Sequence, residues 1–289
     1  MTRQIALLAN PAAGRGRSHL IVDQVAQRLG AQGASVDVLQ ARDAQDALDL
    51  ARKAVADGVD TLATLGGDGM IHLAVQAVAN TGTALGVVPM GTGNDFARSL
   101  GLPDDPLAAA DRVADGVRRT IDAARSGERY FATVMAAGFD AAVNERANGM
   151  RWPHGDLRYT IAAVAVLGSW KALPYTFEID GEERQVEAML VCIANTDSYG
   201  GGLRVPWGAL PDDGLLDVIV IRPTSKLEFL RVLPQTRAGK HVNHPAFERI
   251  RARRVTVAAP GITAYADGEP FGPLPLTVEC VPGGLTVLT

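Results

Sequence analysis

The sequence predicts an α/β protein of two domains: a parallel three-layer α/β half at the N-terminus and an antiparallel β-sandwich at the C-terminus. Three observations lead there. The chain has 289 residues, where one compact domain holds roughly 100–200. Over residues 1–125, short apolar runs alternate with apolar residues at helical spacing, as the strand–helix–strand units of a parallel sheet require. After that, short strand-like runs between turn residues dominate, which is the pattern of an antiparallel sandwich.

In order, Gln4–Ala9 reads as a buried strand, followed by a Gly-rich stretch. Ser18 is a candidate N-cap for a helix carrying Ile21, Val25 and Leu29. Ser35–Gln40 alternates like a strand. Asp43 with Asp46 marks a helix start; Ala47, Leu48, Ala51, Ala54 and Val55 form its stripe, and Gly58 ends it. Residues 61–65 and 84–88 read as strands around a helix at 70–79. The polar stretch 122–128 reads as the boundary, giving domains 1–125 and 126–282. In the second, residues 130–137, 175–179, 185–194, 215–221, 255–258, 263–266 and 276–281 read as strands, with a tight hairpin turn at Asp180-Gly181. Only 156–170 and 225–238 read as helices there.

Composition narrows the function. With 47% hydrophobic and 21% charged residues the chain is globular. A net charge of −4 argues against a nucleic-acid partner. The apolar stretch 161–167 is far short of the roughly 20 residues that span a bilayer. The apolar run near the N-terminus is too short for a signal-peptide core, so a cytoplasmic location is expected. Cys192 and Cys280 lie in apolar runs and read as buried free thiols. His241 and His244 lack a nearby second ligand pair and read as a solvated loop rather than a zinc site. Residues 222–254 hold a surplus of cations: Arg222, Lys226, Arg231, Arg237, Lys240, Arg249, Arg251, Arg253 and Arg254, against Glu228 and Glu248. They form either a surface for anionic lipid headgroups or a solvated face with partners elsewhere in the fold. The Arg151-Trp152 loop is the alternative membrane contact.

Three Gly-rich loops follow strands of the first half: Asn10-Pro11-Ala12-Ala13-Gly14-Arg15-Gly16, Gly66-Gly67-Asp68-Gly69 and Pro89-Met90-Gly91-Thr92-Gly93-Asn94-Asp95. Loops at the carboxyl ends of parallel strands share one edge, where ligands bind. Glycines let backbone N–H groups approach phosphate oxygens. Arg15 and Arg17 add positive charge; Asp68 and Asp95 suit a metal-bound phosphate or an oriented hydroxyl. Neither G-x-x-x-x-G-K-[ST] nor a G-x-G-x-x-G after the first strand is present.

These loops resemble the catalytic domain of diacylglycerol kinases, whose superfamily includes sphingoid-base and ceramide kinases and whose core is similar to NAD kinase and phosphofructokinase. Further motifs match the soluble bacterial members in order: Gly138-Phe139-Asp140, Asn195-x-x-Ser198-Tyr199-Gly200-Gly201-Gly202, Pro211-x-Asp213-Gly214-Leu215-Leu216-Asp217-Val218, Lys240-His241 and Asp267-Gly268-Glu269. The resemblance implies transfer of the γ-phosphate of ATP to the primary hydroxyl of a membrane lipid, most simply diacylglycerol, by a cytoplasmic enzyme associating peripherally with an anionic membrane surface. It implies an ATP site of Asn10, Pro11, Ala12, Ala13 and Gly14, of Gly66, Gly67, Asp68, Gly69, Met70, Ile71 and His72, and of Gly91, Thr92, Gly93, Asn94 and Asp95. It implies Mg2+ on the Asp213 carboxylate and the carbonyls of Leu210 and Leu215, and a general base at Glu269, with Asp267 beside it and Asp68 as a further catalytic candidate. It also implies an active site in a cleft between the domains, a final strand (residues 285–288) that returns to the first domain as part of about 283–289, and frequent homodimers. Where the family usually continues the second loop as Thr-x-Asn-Glu, this chain has Met70, His72 and Leu73, and Ala41 stands where a Thr is often found. A soluble kinase of NAD or a sugar phosphate, and a non-catalytic nucleotide or lipid sensor, are the alternatives.

Overall fold

The computed structural model describes residues 2–9, 18–150, 152 and 156–289. It contains two compact units, Met1–Ala123 with Pro282–Thr289, and Ala124–Val281.

In the first unit, β1 (Gln4–Ala9), β2 (Ser35–Gln40), β3 (Thr61–Gly66) and β4 (Ala84–Pro89) form a parallel sheet in the order β2-β1-β3-β4. The end of the last strand, β16 (Leu276–Leu288), joins it with Val287 opposite Leu85. β3 and β4 are buried throughout and β1 beyond Gln4, because helices cover both faces. α1 (Ser18–Gly30) and α5 (Pro106–Asp115) pack on one face, with Val22, Val25 and Leu29 meeting Ala109, Ala110 and Val113 over Ile5, Leu7 and Leu65. α2 (Ala44–Ala56) and α3 (Asp68–Val78) pack together. The Asp43 carboxylate caps α2 by accepting the Asp46 N–H at 2.9 Å. The sheet order reverses direction between β1 and β3, which puts the carboxyl ends of these strands at the switch point. The first of those loops, Asn10–Gly16, with Arg17, lies outside the described residues.

The second unit has two sheets. One is antiparallel, in the order β12 (Phe247–Ala252), β11 (Leu216–Ile221), β10 (Leu190–Ala194), β7 (Val134–Gly138), β14 (Thr263–Ala266), β15 (Glu269–Pro273). The other contains β8 (Leu173–Ile179), β9 (Glu182–Ala188), β13 (Arg254–Ala258) and the start of β16. Phe131, Phe177, Val191, Ile193, Val218 and Val255 belong to the core that these strands build. Behind β10 and β11, α6 (Phe139–Gly149), α7 (Asp156–Ser169) and α8 (Lys226–Val232) bury Phe139, Leu167 and Phe229, with the Phe139 and Phe229 rings edge-to-face at 4.9 Å.

The fold class is the expected one, and several expected segments differ. The polar stretch 122–128, read as the boundary, is strand: β5 (Arg118–Ser126) runs through it and turns into β6 (Arg129–Phe131). Ile121, Asp122, Ala123 and Ala124 are all buried, and Asp122 accepts the Gly283 N–H at 2.8 Å. Residues 130–137 break at Ala132-Thr133, and 185–194 break at Met189, where the chain leaves one sheet for the other. α6 escaped sequence reading because only Phe139, Ala141 and Ala147 of it are buried, too sparse a stripe for the eye. Residues 225–238 divide into α8 and a 3-10 turn (Leu233–Ala238). Cys192 is buried, but Cys280 is only half-buried; both are free thiols. His241 is not solvated: it is 2% exposed, bonds the Val205 carbonyl through Nε2 at 2.9 Å and meets the Phe247 ring edge-on. Among the described residues, no cluster of three His, Cys, Asp or Glu could hold a metal ion. Trp152 is 76% exposed, while Arg151 beside it lies outside the described residues.

The Gly138-Phe139-Asp140 motif makes the β7–α6 corner. Gly138 has φ +104, and a Cβ there would stand 2.6 Å from the Tyr175 hydroxyl. Asp140 accepts the Tyr199 O–H. Burial pushes its carboxyl up to about 6, against the opposing pull of that hydrogen bond. The folded chain therefore holds this proton more tightly than the unfolded chain. The resulting stabilisation is complete below the ordinary Asp value and is lost as pH rises through about 6, at most about 2–3 kcal/mol. Asp140→Asn removes the titration, so its Tm should rise relative to wild type between pH 5 and pH 7.5; thermal scans giving parallel Tm–pH curves would contradict this.

Candidate active site

The second and third glycine loops touch backbone to backbone. β3 ends at Gly66, Gly67 occupies the N-cap position of α3, and the Met90 N–H bonds the Gly66 carbonyl at 2.8 Å. A Cβ on Gly91 would stand 2.7 Å from the Gly67 Cα, and one on Gly67 would stand 3.2 Å from the Gly91 Cα. Glycine is needed at 67 and 91 for this mutual approach. Asn94, itself at φ +50, closes the third loop: its Oδ1 accepts the Gly91 N–H at 2.9 Å and its Nδ2 donates to the Gly91 carbonyl at 3.1 Å. Arg98 donates to the Gly93 carbonyl at 2.8 Å and to Asp95 at 3.3 Å.

The Asp68 carboxylate lies under Gly93, where a Cβ would stand 2.7 Å from its Oδ2 and 3.6 Å from the Asp95 Oδ2. The other Asp68 oxygen accepts the Phe96 N–H at 3.4 Å. Two carboxylates thus gather beside the N-terminus of an eleven-residue helix, α3, whose positive end favours an anion. Thr92 is exposed at the tip of the third loop. Met70, Ile71 and His72 are buried within α3, and Met70 packs against Gly66, so their side chains serve the core. Ala41 is buried and its N–H reaches the Ala9 carbonyl at 3.4 Å. Asn10, Pro11, Ala12, Ala13 and Gly14 lie outside the described residues.

In the second unit, Asp267 and Gly268 have φ +52 and +85, a tight hairpin turn joining β14 to β15. The Asp267 carboxylate accepts the Ala132 N–H at 3.2 Å, the Thr133 N–H at 2.9 Å and the Thr133 hydroxyl at 2.5 Å. With these donors it braces the turn. Glu269 is exposed at the start of β15. Burial, then the charges of Glu145 and Glu269, push the Tyr265 phenol up.

The expected metal ligands are arranged differently. Leu210 is 53% exposed, and Asp213 accepts the Leu215 N–H at 3.1 Å while its other oxygen pairs with Arg251. A carboxylate already neutralised by a guanidinium does not offer the free charge a divalent ion needs, so the residues as arranged do not fit one. Asp217 is buried; burial pushes its carboxyl up, against the pull of Arg249 and Arg251. Other cations of 222–254 are likewise engaged: Arg222 with Glu248, Arg231 with Glu228 and Arg254 with Glu279. Five of the nine named cations thus meet carboxylates, as the reading of a face with partners elsewhere in the fold expects.

An apolar cavity of about 50 Å³ lies in this unit, lined by Leu190, Ile221, Phe229, Val232, Leu233 and His241 among others. The glycine contacts carry a test. Gly91→Ala forces backbone apart and should cost about 1–3 kcal/mol, while Gly93→Ala meets only the end of the Asp68 side chain and should spare the fold. Chemical denaturation measures both; equal losses would contradict the loop contact.

Comparison with known proteins agrees across the chain. The diacylglycerol kinase catalytic domain model matches residues 4–126, and the YegS C-terminal NAD kinase beta sandwich-like domain model matches residues 133–289. A diacylglycerol kinase of Mycobacterium tuberculosis (strain ATCC 25618 / H37Rv) is 43% identical over 99% of this chain and 94% of its own length. A diacylglycerol kinase of Bacillus subtilis (strain 168) is 31% identical over 94% and 92%. A crystal structure from Bacillus anthracis str. Sterne, 22% identical, superposes with a TM-score of 0.83 over 99% of this chain and 97% of its own, a likeness of fold. With a domain model over each half and relatives matched along nearly its whole length, the chain belongs to the diacylglycerol kinase family of lipid kinases.

Proposed function

We propose that this lipid kinase transfers the γ-phosphate of ATP to the primary hydroxyl of diacylglycerol, yielding phosphatidic acid and ADP. The observation that carries the reading is the 43% identity, over 99% of the chain, to a protein named diacylglycerol kinase. The glycine loops support the phosphate half: a helix N-terminus and backbone N–H groups suit the phosphates, and Gly67 and Gly91 hold the two loops together. Asp68, and the Asp95 Oδ2 on the same side of Gly93 while Oδ1 pairs with Arg98, have the hard oxygen donors and proximity to hold Mg2+ with the nucleotide. Mg2+ there would neutralise charge that develops on the transferred phosphoryl group.

The domain roles follow from this reading. Residues 1–125, completed by about 283–289, bind ATP; residues 126–282 take the lipid. Glu269 accepts the hydroxyl proton as the oxygen attacks phosphorus, and Asp267 positions it by fixing the turn between them. A substrate that stays in the bilayer brings the cytoplasmic enzyme to the membrane surface as a peripheral visitor.

The test offers radiolabelled ATP and Mg2+ with mixed lipids or with NAD. Label is expected in phosphatidic acid; label in an NAD product, or ATP binding without turnover, would overturn the reading. Glu269→Gln should lower kcat by about 10²-fold or more with near-normal ATP affinity, whereas Asp267→Asn should lower both stability and kcat. Full activity in Glu269→Gln would remove it as the base.

A further inference from the structure

β12 carries Arg249 and Arg251 two positions apart, hence on one face of the strand. β11 runs antiparallel beside it, with Asp217 opposite Arg251 and Ile219 opposite Arg249. The Arg249 guanidinium donates to the Asp217 carboxylate at 2.5 Å and to the carbonyls of Trp207 and Gly208 at 3.1 Å each. Arg251 donates to the Asp213 carboxylate, whose second oxygen accepts the Leu215 N–H. Fixed cationic donors thereby gather the Asp213 carboxylate and two carbonyls from the loop between β10 and β11, together with the Asp217 carboxylate from β11 itself.

Carboxylate and carbonyl oxygens gathered in one loop are the ligand set that a hard divalent cation takes. A guanidinium serves the same oxygens with a rigid fork of N–H donors and a permanent charge. The two cannot share Asp213 comfortably, because an added ion would meet Arg251 on a carboxylate already neutralised, and like charges repel. We propose that Arg251, with Arg249 beside it, takes the place of a divalent ion in this loop, so that the second unit is organised without metal and Asp213 binds a cation only when Arg251 is removed. The proposal goes beyond the phosphotransfer reading and does not depend on it.

Thermal unfolding of the full chain, without nucleotide or lipid, in EDTA and in millimolar Mg2+, tests it. The Mg2+-induced shift in Tm should be the same in wild type and Asp213→Asn. Arg251→Met keeps an apolar stem and frees Asp213, and it should gain an additional saturable shift of about 2–4 °C, abolished in Arg251→Met/Asp213→Asn. A wild-type shift larger than that of Asp213→Asn, or no added shift in Arg251→Met, would overturn the proposal. If Arg251→Met does not fold, Mn2+ titration followed by the electron paramagnetic resonance of the free ion decides: equal stoichiometry in wild type and Asp213→Asn supports the guanidinium, and one extra site in wild type overturns it.

Discussion

Gly67 and Gly91 stand close enough that a methyl group on either would press on the backbone of the other. That contact ties the carboxyl ends of β3 and β4 together, and much of the first unit's edge follows from it. Asn94 can bridge the N–H and carbonyl of Gly91 only because the loop is drawn in this tightly. Asp68 then lies beneath Gly93, beside Asp95, at the start of α3. A helix dipole, exposed loop backbone and two carboxylates are brought to one place by the absence of two side chains.

The carboxylates of the second unit differ in role because their surroundings differ. Asp267 is supplied with backbone and hydroxyl donors and acts as a brace. Glu269, two residues on, is exposed and retains its acceptor capacity, which suits proton transfer. Asp213 and Asp217 are held by arginines from a neighbouring strand and tie a long loop to the sheet. Four acidic residues that look alike in a sequence thus divide into a brace, an exposed carboxylate and two anchors.

The buried parallel strands were legible because continuous apolar runs such as Gln4–Ala9 mean burial on both faces. The hairpin at Asp180-Gly181 was legible because both residues take positive φ, at +48 and +92, as such a turn demands. The glycine loops were visible as loops, but their mutual contact joins distant positions and leaves no local trace. The same holds for Arg251 and Asp213, 38 residues apart, whose pairing turns an apparent metal ligand and an apparent membrane cation into one ion pair. The burial of Asp122 was hidden for a different reason: its side chain is polar, and only a hydrogen bond from the distant Gly283 lets it be buried in β5.

On the proposed reading, the α3 N-terminus and the two touching loops hold the phosphates of ATP. A crystal structure with a non-hydrolysable ATP analogue and Mg2+ tests it most directly. The account predicts phosphate oxygens within hydrogen-bond distance of the backbone N–H groups of residues 67–69 and 91–93, with the metal on Asp68 or Asp95. A nucleotide bound elsewhere, with those amides facing solvent, would contradict it.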